Sequence, residues 1–402
     1  MDIRPILSAL LRNRTGAVLV GMQVAITLAV IANALFIIER RIQKIDRPTG
    51  IDTPNLIFVQ SYGFAPDYNQ EATRAADLAL IRAMPGVIAA TPINSVPLSG
   101  GGSASGYYTK PGDELTVGSG NSFNVDETFI QAPGLKLVAG RAFRPEEFIA
   151  KPLDDKISKE SIVSIDMAKL LFGDSPAVGK LVYDTTGEPS EIVGVVSNML
   201  GSWLDSTRPK PTEIVFLPLG QPGQLLRYVV RTRAGDRDRL IPELEKKLAA
   251  SGHGRTITWA RPHEHWITRI YQPDHRMVVF LSTLVFLMTA VTALGIVGLA
   301  TFHVNARRKQ IGTRRALGAR RRDIIWYFLV ENGLLAAAGS VAGALLAYAG
   351  SAWLSRLFQQ PPLPVGYVLA TAAGILLLGQ LAVLSPARRA AAIDPGIATR
   401  TV

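Results

Sequence analysis

Between Met277 and Tyr348 the chain holds two apolar runs, each long enough to cross a bilayer, separated by the block Asn305–Ile324, NARRKQIGTRRALGARRRDI. The block carries Arg307, Arg308, Lys309, Arg314, Arg315, Arg320, Arg321 and Arg322 against one acid, Asp323. Lys and Arg beside membrane helices are retained on the cytoplasmic side, so this block sets the orientation of everything around it. It is also patterned. Ile311, Ala316, Leu317 and Ala319 punctuate the charges, Gly312 interrupts early, and Gly318 falls where a helix C-cap belongs. The spacing predicts a short helix at the membrane surface, a turn, and a new helix rising from about Arg321. Charge alone is equally satisfied by a plain cytoplasmic anchor.

The same counting organises the remaining apolar runs. Met1–Thr15 is short and basic, and Gly16–Ile38 follows without a charge, which is about 35 Å of helix at about 1.5 Å per residue. Ala32-Asn33-Ala34 mimics a signal-peptidase site, but the run is longer than a signal core and continues through Leu35-Phe36-Ile37-Ile38. A retained first helix is the reading adopted, with Glu39, Arg40, Arg41 and Lys44 on a stalk beyond it. Four membrane helices are expected at about 16–38, 277–304, 325–350 and 365–385, with both termini in the cytoplasm. Trp353 and Tyr367 then mark the outer interface, and Trp326 and Tyr327 the inner one.

Two features inside these helices stand out. Gly339 and Gly343, with Ala347, form a face of small residues suited to close helix packing, within the chain or against a second subunit. Glu331 is an ionisable residue about two turns inside the third helix. Its open readings are a functional intramembrane carboxylate and one that snorkels to the headgroups, paired with Arg321 or Arg322.

From about Arg47 to Pro273 no membrane-length run occurs, so this stretch forms one water-exposed region. Its ends repeat a pattern. Leu56–Gln60, Glu71–Met84 and Val87–Thr91 read as strand, helix and strand, and so do Tyr228–Thr232, Asp238–Ala250 and Thr256–Ala260. Two such units predict a split sheet with helices on one side, interrupted by a β-rich insert from about Ser95 to Pro222. The fold class expected is therefore an α+β membrane protein, four helices with a large outer α/β domain between the first and second.

Several functions are set aside. The net charge of +11 crowds the membrane flanks, without zinc-finger spacing or an RNA-binding aromatic motif, so nucleic acid is not an expected partner. The chain has no cysteine, so disulfides do not staple the outer region. Gly173–Leu181 imitates a phosphate loop but has five residues between its glycines and Leu181 where Ser or Thr must meet Mg²⁺. His263-Glu264-His265 lacks a third ligand and reads as a polar turn, so no metal site is expected. No Walker A, G-x-S-x-G or H-E-x-x-H sequence is present, and no catalytic residue or cofactor of its own is assigned to this chain.

Residues Arg308–Glu331, with Gln310-Ile311-Gly312, Arg315-Ala316-Leu317-Gly318-Ala319 and Glu331, closely resemble the cytoplasmic loop and following helix of FtsX-like ABC transporter permeases. Pro386-Ala387-Arg388-Arg389-Ala390-Ala391 and Asp394-Pro395 resemble that family's terminal motif. In the outer region, Gly134–Leu137, Gly140–Phe143, Ala168–Gly173, Val178-Gly179-Lys180 and Ile192–Val196 resemble the periplasmic core domain of MacB-type permeases. The resemblance implies a division into cytoplasmic residues 1–15, first helix and stalk 16–46, periplasmic domain 47–273 (insert about 95–222), stalk and second helix 274–304, coupling segment 305–324, helices 325–350 and 365–385, and tail 386–402.

It further implies that Arg307, Arg308, Gln310, Ile311, Gly312, Arg314, Arg315, Ala316, Leu317, Gly318 and Ala319 dock a separate ATPase subunit, which would hold ATP and Mg²⁺. Ile311 and Leu317 are the apolar contacts expected there. A second permease chain, identical or paralogous, membrane lipid, a periplasmic adaptor and an outer-membrane channel are the other partners implied, in a bacterial inner membrane. Three uses stand open: tripartite efflux of a drug, peptide or toxin, which the MacB-like outer domain favours; lipoprotein extraction; and non-transporting control of a periplasmic hydrolase or sensor.

Overall fold

The computed structural model describes residues 14–111, 118–150, 158–185, 187–204, 209–221, 223–252, 254–358 and 361–393. The basic residues before Arg14 and the Asp394-Pro395 motif lie outside them. In chain order the elements are α1 (Arg14–Ile45), β1 (Leu56–Gly63), α2 (Gln70–Arg82), β2 (Val87–Pro92), β3 (Ser103–Tyr108), β4 (Gly118–Asn124) and β5 (Leu137–Gly140). There follow β6 (Glu160–Ser164), α3 (Ile165–Phe172), β7 (Leu181–Asp184), β8 (Pro189–Val196), β9 (Ile214–Leu217) and β10 (Leu225–Thr232). Last come α4 (Arg237–Ala250), β11 (Arg255–Pro262), α5 (Glu264–Ala306), α6 (Arg308–Ala316), α7 (Arg321–Phe358) and α8 (Val365–Ala391). The chain divides into an outer unit, Arg47–Gln272, and a membrane unit, Met1–Asp46 with Pro273–Val402.

In the outer unit the two strand–helix–strand segments interleave. The sheet runs β11-β1-β10-β2 with every neighbouring pair antiparallel, so β10 separates β1 from β2 and β1 separates β10 from β11. Asn69 starts α2 by accepting from the Ala72 amide at 3.1 Å, and Gly86, at φ +98, makes the turn into β2. Successive strand residues face opposite sides. Ile57, Val59, Tyr228 and Val230 therefore meet Leu78 and Ile81 of α2 and Leu240, Leu244 and Leu248 of α4. Leu56, Phe58 and Val229 meet Phe123, Phe129, Ile162 and Phe216 of the insert.

The insert is richer than a set of short strands. Its sheet order is β5-β8-β6-β9-β4-β3-β7, and β7 pairs back onto β8, closing a ring of six strands with β5 on the remaining length of β8. Closure removes free edges from strands too short to survive alone. The Gly173–Leu181 stretch turns from α3 into β7: the Gly179 amide donates to Ile192 O at 2.8 Å, and the Lys180 ammonium lies 4.6 Å from the Phe172 ring centre. Those groups are spent on the turn.

Among the described residues four helices are long and apolar enough to cross a membrane: Gly16–Ile45, Glu264–Ala306, Arg321–Leu357 and Val365–Ala391. They extend beyond the apolar runs because hydropathy marks the bilayer-facing part of a helix, whereas backbone hydrogen bonding continues through its polar ends. Val20, Val24, Leu28, Ala32 and Phe36 of α1 pack with Ala347 of α7 and with Val368 and Ile375 of α8. α1 packs closely on the Gly339–Gly343 face. A Cβ on Gly339 would fall 2.8 Å from Gly21 O, and one on Gly343 2.8 Å from Ala25 O. The small-residue face therefore packs within the chain. Thr27 and Thr292 hydroxyls, 2.8 Å apart and buried, tie α1 to α5, and Asn33 donates to Ala347 O at 3.1 Å.

Candidate coupling segment

α6 opens two residues after α5 ends and closes in a Schellman motif. The Ala319 amide donates to Arg314 O and the Gly318 amide to Arg315 O, each at 3.1 Å, with Gly318 at φ +95. A left-handed residue at C′ requires glycine there, which is why the turn was readable in advance. Asp323 then reaches back to the Arg320 amide at 2.9 Å and starts α7. Helix, turn and new helix thus fall where the charge pattern placed them.

The two faces of α6 have different fates. Ile311 and Gly312 are buried, and Ile311 packs with Ile296 and Val304 of α5, Ile324 and Phe328 of α7, and Val383 and Ala387 of α8. Ile311, expected as an apolar docking contact, is buried in this chain at the junction of three helices, where its side chain holds the segment in place. Arg308, Gln310, Arg314, Ala316, Leu317 and Gly318 are exposed, and Leu317 keeps 84% of its surface. Arg307, Arg315 and Ala319 are half-buried. Arg314 lies 5.3 Å from the Tyr327 ring centre. Arg315 donates through Nη1 to Ala391 O at 3.1 Å and Ile393 O at 2.6 Å, satisfying the end of α8.

Glu331 is the buried charge of this region, and Arg307 is its partner. Arg307 Nη1 donates to both Glu331 oxygens and to the Tyr327 hydroxyl, each at 3.1 Å. The pairing with Arg321 or Arg322 does not occur. Those residues stand on the first turn of the same helix, about 14 Å of axial rise from Glu331, and both are exposed. Glu331 also borders a cavity of about 30 Å³ with His303, Asn332 and Phe328, room for about one water molecule.

A second clamp went unread in the sequence. Asp274, 4% exposed, binds Arg41 and, at 2.9 Å, the Lys44 ammonium. The signal was present: Arg41 and Lys44 are three apart and share a face of α1, and Asp274 is the last acid before the second apolar run. Their joining required the tertiary arrangement of α1 and α5. His263 is likewise structural. It is buried, its Nε2 donating to Pro97 O at 3.1 Å and its Nδ1 accepting from the Thr53 hydroxyl at 3.2 Å, and burial pulls it down to about 4. His265, by contrast, lies in the first turn of α5.

Four apolar helices, an outer α+β unit between the first and second, and a basic segment keyed to three helices define a multi-pass membrane protein of the permease type. Residues 16–247 match the family model of the MacB-like periplasmic core domain, and residues 282–395 match that of the FtsX-like permease C-terminal region. The chain belongs to the MacB-like and FtsX-like family of ABC transporter permeases.

It is similar to the uncharacterized ABC transporter permease YknZ of Bacillus subtilis, 25% identical over 277 residues covering 67% of each chain. It is also similar to the macrolide export ATP-binding/permease protein MacB of Chromobacterium violaceum, 26% identical over 285 residues, 67% of this chain and 42% of that protein. With MacB of Pasteurella multocida it shares 25% over 336 residues, 80% of this chain and 48% of that one. The match thus spans less than half the length of these MacB relatives. The crystal structure of the periplasmic region of MacB from Actinobacillus actinomycetemcomitans shares 17% identity with a TM-score of 0.37, covering 57% of this chain and 98% of that one.

Proposed function

We propose that this chain is the force-transmitting permease subunit of an ABC transporter, driven by a separate cytoplasmic ATPase that holds ATP and Mg²⁺, and that it powers tripartite export of a drug, peptide or toxin from the periplasm. The observation that carries the reading is the two-sided α6. Its outer face offers Arg308, Gln310, Arg314 and the bare Leu317, while Ile311 is locked among α5, α7 and α8. A load applied to the exposed face is passed to three helices at once, because close-packed side chains transmit displacement with little compliance. Resemblance to proteins named for macrolide export supports transport over lipoprotein extraction or signalling.

A pair of permease chains completes the machine. Of the most apolar stretch of α5 only 6% is buried within the chain, against 44% for α1, and Phe280, Phe286, Leu294 and Phe302 are exposed on it. That surface suits lipid and a second permease chain. The test is gentle purification of the tagged chain from its native membrane with mass spectrometry of what accompanies it. An ATPase together with a periplasmic adaptor is the expected result. An ATPase with a periplasmic hydrolase or sensor overturns export in favour of signalling, and absence of any ATPase overturns the whole reading.

A further inference from the structure

The inner face of the outer unit's four-stranded sheet changes character along its length. Where Leu56, Phe58 and Val229 lie it packs tightly against the insert. Beyond them comes a single row running across three strands in register: Trp259 of β11 opposite Gln60 of β1, and Gln60 opposite Arg227 of β10. Over this row the insert stands off, leaving a cavity of about 620 Å³. Cavities that hold small molecules commonly measure about 300–1,000 Å³.

Its chemistry is specific. Trp259 and Trp266 form one wall, ring centres 4.9 Å apart in an edge-to-face pair. Arg227 is the one charged side chain among the described lining residues, and no carboxylate is among them. Its guanidinium is half-buried and spent on neutral acceptors: Nε donates to Gln60 Oε1 at 2.7 Å, and Nη1 donates to Asn94 O. Burial pulls its pKa below the ordinary arginine value, and among the described residues no anion offsets the desolvation. Gln221 fixes the strand beneath it through both backbone groups of Arg227, at 3.0 and 3.1 Å. Gly102 forms another part of the wall with its backbone, since a Cβ there would fall 2.4 Å from Ser202 Oγ.

A cation taken from water and paired only with neutral dipoles costs free energy that an incoming anion returns. We propose that this cavity is a binding site for a small organic carboxylate, its anionic group held by Arg227 beside the Gln60 amide and its apolar body laid against Trp259 and Trp266. The site lies wholly in the outer unit, and the proposal does not depend on the coupling role of α6.

The test uses the full chain in lipid nanodiscs, with 2-naphthoate as the carboxylate probe and 2-naphthamide as its uncharged counterpart, titrated calorimetrically against empty nanodiscs. Saturable binding of 2-naphthoate is expected, with the amide weaker by about tenfold or more, the factor that loss of one charge-assisted hydrogen bond produces. Arg227→Gln should weaken 2-naphthoate by a similar factor. Gln60→Glu provides a second variant that keeps Arg227: it places an internal carboxylate on the guanidinium, and should abolish binding while raising the melting temperature. Equal binding of the amide and the carboxylate overturns the proposal. So does unchanged affinity in Arg227→Gln or, where that variant does not fold, in Gln60→Glu. Absence of saturable binding at millimolar probe overturns it as well.

Discussion

The Arg307 guanidinium, just past the end of α5, donates to both carboxylate oxygens of Glu331, in the third turn of α7, at 3.1 Å each. Arg307 is 17% and Glu331 5% exposed, so the pair lies largely buried within the chain. It joins α5, which comes before the candidate coupling segment, to α7, which leaves it. Any displacement of α6 must either carry these two residues together or separate two charges in a low dielectric, and the second course is costly.

Removing one member of that pair leaves the other charge buried without its partner. Glu331→Ala and Arg307→Ala are each expected to destabilise the membrane unit by about 3–5 kcal/mol, read as a lower melting temperature in detergent. Glu331→Met combined with Arg307→Met should recover most of the loss. Arg321→Ala, which leaves the pair intact, should change little, and a loss there equal to that of Arg307→Ala would show that the pair has been misassigned.

Leu317 and Ile311 separate docking from folding. Leu317→Asp changes a side chain that keeps 84% of its surface, so insertion and melting temperature should hold while the co-purifying ATPase is lost. Ile311→Asp places a charge at a site 5% exposed between α5, α7 and α8, and should lower yield and melting temperature whether or not an ATPase is present. Full retention of the ATPase by Leu317→Asp would remove Leu317 from the contact.

Close packing of α7 on α1 is tested by one methyl group. In Gly343→Ala the added Cβ meets Ala25 O at 2.8 Å and Leu28 Cβ at 2.9 Å, and the backbone atom cannot swing aside. A destabilisation of about 1–3 kcal/mol is expected. Gly350→Ala, on the same helix with nothing within 4 Å, should be neutral or stabilising by up to about 1 kcal/mol. Equal melting temperatures for the two variants would count against the contact.

His263 gives the outer unit an acid-sensitive element. Its folded pKa, about 4, lies below the ordinary value of 6.5, so the unfolded chain takes up the proton first. The neutral ring's contribution is complete above about pH 6.5 and is lost as pH falls toward 4, by up to about 3 kcal/mol. Thermal unfolding of wild type and His263→Gln from pH 7.5 to 4.5 isolates this term. The wild type should lose more stability than the variant over that interval, and parallel curves would remove His263 as the cause.

Local patterns carried much of this protein. Long apolar runs marked four helices, the basic block marked the turn between the second and third, and Gly318 marked where that turn is made, because one residue in the left-handed region admits little else. Period-two and period-3.6 spacing also marked the paired strand–helix–strand units of the outer sheet. These features depend on residues close together in the chain, where hydrogen-bond geometry and bilayer thickness act directly on the sequence. Partnership across long separations was decided only by tertiary structure. Ile311 reads like its surface neighbours until α5, α7 and α8 converge on it, and Glu331 had nearer arginines in sequence than Arg307. The Trp259–Gln60–Arg227 row exists only because three distant strands share one register. Periodicity states which face of an element is apolar. Which other face meets it, and which charge comes to rest beside which, follows from the simultaneous packing of all the elements.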